Sequence, residues 1–367
     1  MDDKLRAFGK NIDLLINKNN LSREESREMF RQILMNEQPD LQQGAFLAAI
    51  TAKGATPQEI AGGWEVIFDL DTVKVSPKIS VPVVENCGTG MDSFKTFNIS
   101  TAASIIAAAD GVPMAKHGAR AITSKCGTID LLESIGIDVE CDASIVKKSI
   151  EDANIGMFNG MSSKVHPCAL GRILSQIRFG TILNIAASLA NPASPTIGVR
   201  GVYNEKMIMP TLETMKEIGF KKAMVFHGKN SNGKCGMDEI STSGLTFVAE
   251  MKSDGTITEY TIDPSSLDIR CDNENDILAS ERSNESIRFL RLLEGKESRD
   301  REDIVCLNAA AILYVSDRVK DIESGFERAK SIVASGRAAS KIKEWVSIQN
   351  SEPDLGLEKL DALLCHC

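Results

Sequence analysis

The 367-residue sequence is poor in aromatic side chains and lacks the features that mark several classes of protein. Only 5% of its residues are aromatic while 43% are hydrophobic, so aliphatic side chains must form most of the core. No apolar run reaches the length of about 18 residues that a membrane-spanning helix requires. The beginning, Met1-Asp2-Asp3-Lys4, has no apolar signal-peptide core, and no repeats or low-complexity segments occur. We therefore expect a cytoplasmic protein without a membrane partner.

Basic residues are not in excess either. The chain has 42 Lys and Arg residues and 51 Asp and Glu residues, which gives a net charge of -9. This balance argues against a nucleic-acid-binding protein, which needs a basic face. The nine cysteines are too scattered for a disulfide framework, and we expect Cys87, Cys126 and Cys168 to be reduced thiols.

The first part of the chain has the periodicity of helices. Ser22 and Glu25 form a capping-box pattern, and Pro57 follows a second helix start. The pattern of residues 1–75 therefore predicts an N-terminal helical subdomain. We expect the apolar helical stretch at about 173–192 to pack with it.

From residue 76 onward, strand patterns alternate with helix patterns. The predicted strands are 81–84, 112–115, 197–202 and 223–227, with a hairpin at 246–251 and 256–262. The predicted helices are 100–109, 127–135, 144–153, 207–218, 287–293, 304–315 and 322–334. Such alternation predicts an α/β domain, built from 76–172 and 193–348, with a largely parallel central sheet flanked by helices. Residues 349–367 read as an acidic, weakly patterned tail.

Polar side chains and glycines follow the first two strands. Gly88 and Gly90 lie between strand 81–84 and the next helix, and glycine lets backbone amides approach a ligand closely. A helix N-terminus favours negative charge, so this turn suits a phosphate group. An ordinary strand-to-helix turn, with Ser100 or Thr101 as the helix cap, is the alternative.

A second cluster follows strand 112–115 and contains Lys116, His117, Arg120 and Ser124. Ligands of open α/β sheets bind at the carboxyl ends of the strands, so both clusters should open onto one edge. Two neighbouring anion sites suggest a ligand with two separated phosphate groups. The adjacent carboxylates of the 238–239 pair are of the type that Mg²⁺ prefers.

These motifs, in this order, resemble those of the anthranilate phosphoribosyltransferase family. The matching segments are Gly88-Thr89-Gly90-Met91-Asp92, Thr96-Phe97-Asn98-Ile99-Ser100-Thr101, Lys116-His117-Gly118 and Asp238-Glu239. The likeness extends to about residue 345. Pyrimidine nucleoside phosphorylases share the character of residues 127–133 but lack the Thr-Phe-Asn-Ile-Ser-Thr run.

The resemblance implies a homodimer formed through the helical subdomain, and transfer of 5-phosphoribose from 5-phosphoribosyl diphosphate (PRPP) to anthranilate, as in tryptophan biosynthesis. The implied PRPP-binding residues are Gly88, Asp92, Thr96, Asn98, Ser100, Thr101, Lys116, Ser124 and Thr128. One Mg²⁺ ion would be held near Ser100 and another near Asp238 and Glu239. The acceptor would bind near His117, Ala119 and His166, and Arg172 or Arg178 could replace the family's acceptor-binding arginine only if the helix shifts register. No catalytic base is assigned, because a neutral aromatic amine is already a nucleophile.

The sequence departs from the family pattern mainly on the acceptor side. Ala119 replaces an asparagine, Leu174 occupies the position of an acceptor-binding arginine, and the loop before Asp238 is longer than usual. On the PRPP side, Met91 replaces a glycine. Four hypotheses therefore remain open: an anthranilate phosphoribosyltransferase with rearranged acceptor contacts, a paralogue acting on another aromatic or nitrogen-heterocyclic acceptor, a non-catalytic nucleic-acid-binding relative, and a nucleoside phosphorylase.

Overall fold

A computed structural model describes residues 2–90, 93–120, 127–177 and 179–366. The chain begins with four helices: α1 (Asp2–Ile16), α2 (Arg23–Leu34), α3 (Asp40–Lys53) and α4 (Pro57–Leu70). Ser22 and Glu25 form the predicted capping box at the start of α2. Thr56 and Glu59 form another at α4, where Pro57 occupies the first turn.

Two later helices pack on this helical region, α8 (Leu170–Gln176) and α9 (Ile182–Leu189). Their apolar side chains share one core with those of α1 to α4, including Phe30, Phe46, Ile173 and Leu183. The indole nitrogen of Trp64 in α4 also donates a hydrogen bond to the carbonyl of Leu189 at 2.9 Å. A break separates α8 from α9, since Thr181 caps a new helix.

The central sheet has eight strands within the described parts of the chain, in the order β3-β2-β1-β4-β5-β7-β8, with β6 paired to β5. The strands are β1 (Val84–Gly88), β2 (Met114–Gly118), β3 (Ile155–Asn159), β4 (Ile197–Gly201), β5 (Lys222–Lys229), β6 (Gly236–Met237), β7 (Thr246–Met251) and β8 (Ile257–Ile262). The pairs among β1 to β5 are parallel, whereas β6, β7 and β8 are added in antiparallel pairs. This arrangement confirms the predicted fold class and the predicted hairpin.

Helices flank the sheet, and the largest apolar cluster lies between the sheet and α5, α12, α13 and α14. The remaining helices are α5 (Ile99–Ala109), α6 (Thr128–Ser134), α7 (Ala143–Ala153), α10 (Ile208–Glu217), α11 (Arg282–Leu293), α12 (Arg299–Val315), α13 (Ile322–Ala334), α14 (Arg337–Ile348) and α15 (Pro353–Leu364). No helix in the described segments is long and apolar enough to cross a bilayer.

The structure differs from the sequence analysis at several elements. Strand β1 begins at Val84, where the predicted strand ends, and continues through Glu85 and Asn86. The acidic segment predicted as a weakly patterned tail instead contains helix α15, whose Leu360 is fully buried. Strand β3 and helix α14 have no counterpart in the sequence prediction.

The edge strand β3 is covered by a side chain from beyond α14. Gln349 accepts a hydrogen bond from the Met157 amide at 2.8 Å and donates one to the Met157 carbonyl at 2.9 Å. Its side-chain amide therefore takes the place of a neighbouring strand at this position.

Candidate active site

The glycine-containing turn after β1 lies against the carboxylate of Asp238. The amide of Gly90 donates a hydrogen bond to Oδ2 of Asp238 at 2.7 Å. A Cβ atom at Gly88 would lie 2.3 Å from the same oxygen, so glycine is required there for close approach. Gly90 itself has a φ of 65°, in the left-handed region that favours glycine.

Glu239 makes the corresponding contact with the start of helix α5. Its Oε1 accepts a hydrogen bond from the amide of Ser100 at 3.1 Å, in the first turn of the helix. The adjacent acidic residues therefore bridge the glycine turn and a helix N-terminus, two segments that are distant from them in the sequence.

Lys116 lies beneath this helix start. Its ammonium group donates to the carbonyl of Asn86 at 2.9 Å, to Oγ of Ser104 at 3.2 Å and to the carbonyl of Ser100 at 3.5 Å. Burial lowers the pKa of Lys116 to about 8. A positive charge is thus held by neutral oxygen atoms below the first turn of α5, where it adds to the positive end of the helix dipole.

The segment before α5 is fixed from two sides. Oγ1 of Thr128, at the start of α6, donates to Oδ1 of Asn98 at 3.3 Å, and Thr96 forms an isolated bridge with Leu278. The buried guanidinium of Arg301 lies 3.8 Å from the centroid of the Phe97 ring. Lys116 and Thr128 of the second predicted cluster therefore reach the same rim as the first, whereas Arg120 pairs with Glu133.

The side chain of Thr101, another residue predicted to bind PRPP, is buried. Its hydroxyl is buried and has no hydrogen-bond partner among the described residues. Its amide lies in the first turn of α5, where amides have no partner inside the helix. Backbone contact, rather than side-chain contact, is the role that this position allows.

A buried ion pair supports the floor of the site. Arg200 in β4 donates to Oε1 of Glu85 in β1 at 2.7 Å and to Oγ of Ser188 in α9 at 2.8 Å. Burial alone would lower the pKa of Arg200, but Glu85 and Cys87 together outweigh it and the pKa is raised. The pair joins the two neighbouring strands and links them to the helical region.

The predicted acceptor histidines meet on the other side of β2. His117 follows Lys116, and successive side chains of a strand point to opposite faces. The Nε2 atoms of His117 and His166 are 3.2 Å apart. Nδ1 of His117 lies 3.3 Å from the Ser188 carbonyl, and Nδ1 of His166 lies 2.6 Å from the Asp71 carbonyl. These contacts place the pair between the sheet and the helical region.

Arg172 lies elsewhere. Its guanidinium donates to the Ile33 carbonyl at 2.7 Å and to Oε1 of Gln43 at 3.1 Å, both in the helical region. Leu174 packs at the edge of the same apolar core. Ala119 is half-buried just after β2. Arg172 is therefore hydrogen-bonded within the helical region and does not lie at the histidine pair.

Five residues with a role in the sequence analysis lie outside the described part of the chain. They are Met91, Asp92, Ser124, Cys126 and Arg178.

The Asp238–Glu239 pair has the chemistry that Mg²⁺ requires. Asp238 and Glu239 are 8% and 6% exposed, and burial raises the pKa of Asp238. A nearby divalent cation would offset that cost. Within the described residues, no group of three or more His, Cys, Asp or Glu residues could hold a metal ion. Mg²⁺ fits such a site nonetheless, because it commonly takes one or two carboxylates together with water and substrate phosphates.

Several residues of this site are absent from the sequence prediction. Asp71 accepts hydrogen bonds from the amides of Cys168, Ala169 and Leu170 at the start of α8, at 2.5, 2.9 and 2.8 Å. The sequence does contain an indication for Arg200, since this charged residue interrupts an otherwise apolar strand. It contains no indication for Asp71, because the hydrogen-bond partners of Asp71 lie about a hundred residues away.

Comparisons with known proteins agree with this geometry. The model described as "Glycosyl transferase family, helical bundle domain" matches residues 11–70, and the one described as "Glycosyl transferase family, a/b domain" matches residues 80–339. The fold and site thus define a glycosyltransferase with a helical bundle and an α/β domain.

Similar proteins narrow this class. The anthranilate phosphoribosyltransferase of Methanococcoides burtonii is 37% identical over 338 residues, which cover 91% of this chain and 92% of that protein. The one from Hydrogenovibrio crunogenus is 34% identical over 91% of this chain and 96% of its own length. The chain belongs to the anthranilate phosphoribosyltransferase family, as its motifs predict.

Solved structures show the same fold. The anthranilate phosphoribosyltransferase of Thermus thermophilus has a TM-score of 0.82 and 26% identity, and the match covers 92% of this chain and 98% of that one. The Saccharomyces cerevisiae enzyme, in complex with PRPP and Mg, has a TM-score of 0.81 and 20% identity, with coverage of 96% and 99%.

Proposed function

We propose that this protein transfers the 5-phosphoribosyl group of PRPP to anthranilate and releases pyrophosphate, the reaction used in tryptophan biosynthesis. The observation that carries the proposal is the junction of the glycine turn, the start of α5 and the acidic pair at one rim, through the Gly90–Asp238 and Ser100–Glu239 hydrogen bonds. The relatives named above carry this activity in their names, and the S. cerevisiae structure contains PRPP and Mg.

In this proposal the rim binds PRPP. The residues are Gly88, Thr96, Asn98, Ser100, Thr101, Lys116 and Thr128, together with Asp92 and Ser124. The Thr101 amide in the first turn of α5 would contact the diphosphate, and the amides of Gly90 and Ser100 would do so in place of their hydrogen bonds to Asp238 and Glu239. Lys116 would add positive charge from below the helix start.

Mg²⁺ would be held by Asp238 and Glu239, close to Ser100. When bound, the ion would stabilise the charge of the departing pyrophosphate. Lys116 and the α5 amides are fixed before the reaction and would stabilise the same charge, which is the electrostatic contribution that usually dominates such steps. No base is proposed, because a neutral arylamine needs none to attack C1 of the ribose.

The acceptor would bind on the helical side of β2, near His117, His166 and Ala119. A second candidate is transfer to a different aromatic or nitrogen-heterocyclic acceptor. This candidate is favoured by the position of Arg172, whose guanidinium is hydrogen-bonded to Ile33 and Gln43 in the helical region and not placed at the histidine pair.

The direct test is turnover of anthranilate by the purified protein with PRPP and Mg²⁺. Loss of anthranilate fluorescence together with pyrophosphate release is the expected result. A panel of heterocyclic amines, assayed by pyrophosphate release alone, tests the second candidate. Absence of turnover at millimolar anthranilate, with turnover of a heterocycle, would replace the first proposal by the second.

A charge-matched pair of variants tests the proposed metal site. D238N/E239Q should lower kcat/KM for PRPP by about a hundredfold or more, because the Mg²⁺ contact is lost. D254N/E259Q removes the same charge from the exposed part of the β7–β8 hairpin and should leave kcat/KM unchanged. Equal activity of the two double variants would show that the acidic pair does not hold the metal.

We also propose a homodimer formed through the helical region. Leu41 is 89% exposed, Ile16 62% and Met35 56%, all in or beside α1, α2 and α3. Large apolar side chains left exposed in the same helical region are of the kind that a protein contact covers. L41E should shift the mass measured by light scattering from dimer to monomer, and an unchanged dimer would exclude this surface.

A further inference from the structure

The contacts of the His117–His166 pair require more protons than two neutral rings supply. A carbonyl oxygen only accepts hydrogen bonds, so both Nδ1 atoms carry hydrogen when they bond the Ser188 and Asp71 carbonyls, which lie 3.3 and 2.6 Å away. A neutral imidazole has a single N–H, which would leave both Nε2 atoms as acceptors only 3.2 Å apart. One added proton between the Nε2 atoms would satisfy every contact.

The surroundings keep the pair neutral until an anion arrives. Burial, His166 and the Arg200 guanidinium lower the pKa of His117 to about 3, and burial also lowers the pKa of His166. The Asp71 carboxylate acts in the opposite direction on His166, but it is also bonded to the α8 amides. The neutral pair therefore lacks one hydrogen bond, and a negative charge placed beside it would raise its proton affinity.

The pair acts by charge and not by direct hydrogen bonding. Nδ1 of each ring contacts a carbonyl and the Nε2 atoms contact each other, so each ring nitrogen faces a protein group. Oγ1 of Thr72 is also 3.4 Å from Nδ1 of His166. A ligand bound near the pair would experience its net charge.

We propose that the His117–His166 pair takes up one proton from solvent when an acceptor bearing a carboxylate or similar anionic group binds, and that this charge selects anionic acceptors. The proton stays between the Nε2 atoms until the acceptor leaves. The inference rests on the proposed function, because that function places the acceptor on the helical side of β2. In this role the histidines are positioning residues.

The test is the pH dependence of the KM for anthranilate at saturating PRPP and Mg²⁺, from about pH 5.5 to 8.5. Because binding takes up one proton, KM should rise by up to about tenfold for each pH unit, while kcat changes little. Calorimetry in two buffers of different ionisation enthalpy should give an uptake of about one proton per subunit.

Two variants separate the pair from other buried histidines. H166Q keeps an amide donor near the Asp71 carbonyl but cannot carry the charge, so its KM should be high and independent of pH. H227Q changes another buried histidine, whose Nδ1 faces the Val202 carbonyl at 2.7 Å, and should keep the pH dependence. If H166Q does not fold, ¹⁵N-histidine spectra of the wild-type protein replace it, since the chain has only 4 histidines.

The outcomes distinguish this inference from the function on which it rests. Turnover of anthranilate with a KM independent of pH, or ¹⁵N shifts of two neutral rings in the anthranilate complex, would overturn the inference and leave the function intact. Absence of turnover at every pH would overturn both.

Discussion

The substitution Gly88→Ala tests how closely the glycine turn must approach the acidic pair. Gly88 ends strand β1, and its φ lies outside the left-handed region, so alanine can adopt the same backbone conformation. The added Cβ would lie 2.3 Å from Oδ2 of Asp238 and 2.8 Å from its Cγ. The effect of the substitution is therefore steric and is directed at one carboxylate.

The size of the effect follows from these distances. To reach ordinary van der Waals contact, the Asp238 carboxylate must move by about 1 Å, which also stretches its 2.7 Å hydrogen bond to Gly90. A displacement of this size can cost a reaction about a hundredfold in rate, or roughly 2.7 kcal/mol of transition-state stabilisation. We expect this loss in kcat/KM for PRPP.

The assay is steady-state pyrophosphate release at varied PRPP, together with thermal unfolding. The matched control is Gly44→Ala in α3, where a Cβ would meet no atom within 4 Å. That variant should keep full activity and gain about 0.5–1 kcal/mol from the better helix former. Wild-type kcat/KM in folded Gly88→Ala would show that the turn does not need to approach Asp238 closely.

Two further predictions concern the supports of the site. Asp71→Ala removes the carboxylate that accepts hydrogen bonds from the amides at the start of α8. The free energy of unfolding should fall by about 2 kcal/mol, and hydrogen exchange in α8 should become faster. Unchanged hydrogen exchange in α8 would contradict the capping role of Asp71. Arg200→Met leaves Glu85 buried without its cation and should cost about 3–5 kcal/mol in urea unfolding, whereas E85L/R200M should recover much of this loss. A double variant no more stable than the single one would show that the ion pair is not the cause.

The fold class could be predicted because hydrophobic periodicity reports strands and helices directly. The bounds of the strands could not be predicted in the same way, because β1 and β2 continue into buried polar residues. Glu85 is paired with Arg200 across the sheet, and Lys116 is bonded to oxygen atoms of β1 and α5. Local hydropathy cannot show that a polar residue has a partner far away in the sequence.

The missed strand β3 has a similar explanation. It is five residues long and contains Gly156, which weakens the strand pattern. In the structure this glycine allows close packing, since a Cβ there would lie 2.8 Å from the Val146 carbonyl. Tertiary contact thus compensates for a poor local preference.

The candidate PRPP site was more predictable than the acceptor site. The glycine turn, the Asn-Ile-Ser-Thr run and the acidic pair are short contiguous motifs, and the structure brings them to one rim. The acceptor side depends on pairs such as His117 and His166, which are 49 residues apart, and on Asp71, another 95 residues from His166. Arg172 illustrates the limit, because its sequence position gives no sign that α2 and α3 bind its guanidinium.

A crystal structure of the protein with PRPP and Mg²⁺ would locate the diphosphate and the metal ion directly. We expect the diphosphate at the Gly88–Gly90 turn and the first turn of α5, with a metal ion coordinated by Asp238 or Glu239. A diphosphate bound elsewhere, or a metal ion without either carboxylate in its coordination sphere, would contradict this expectation.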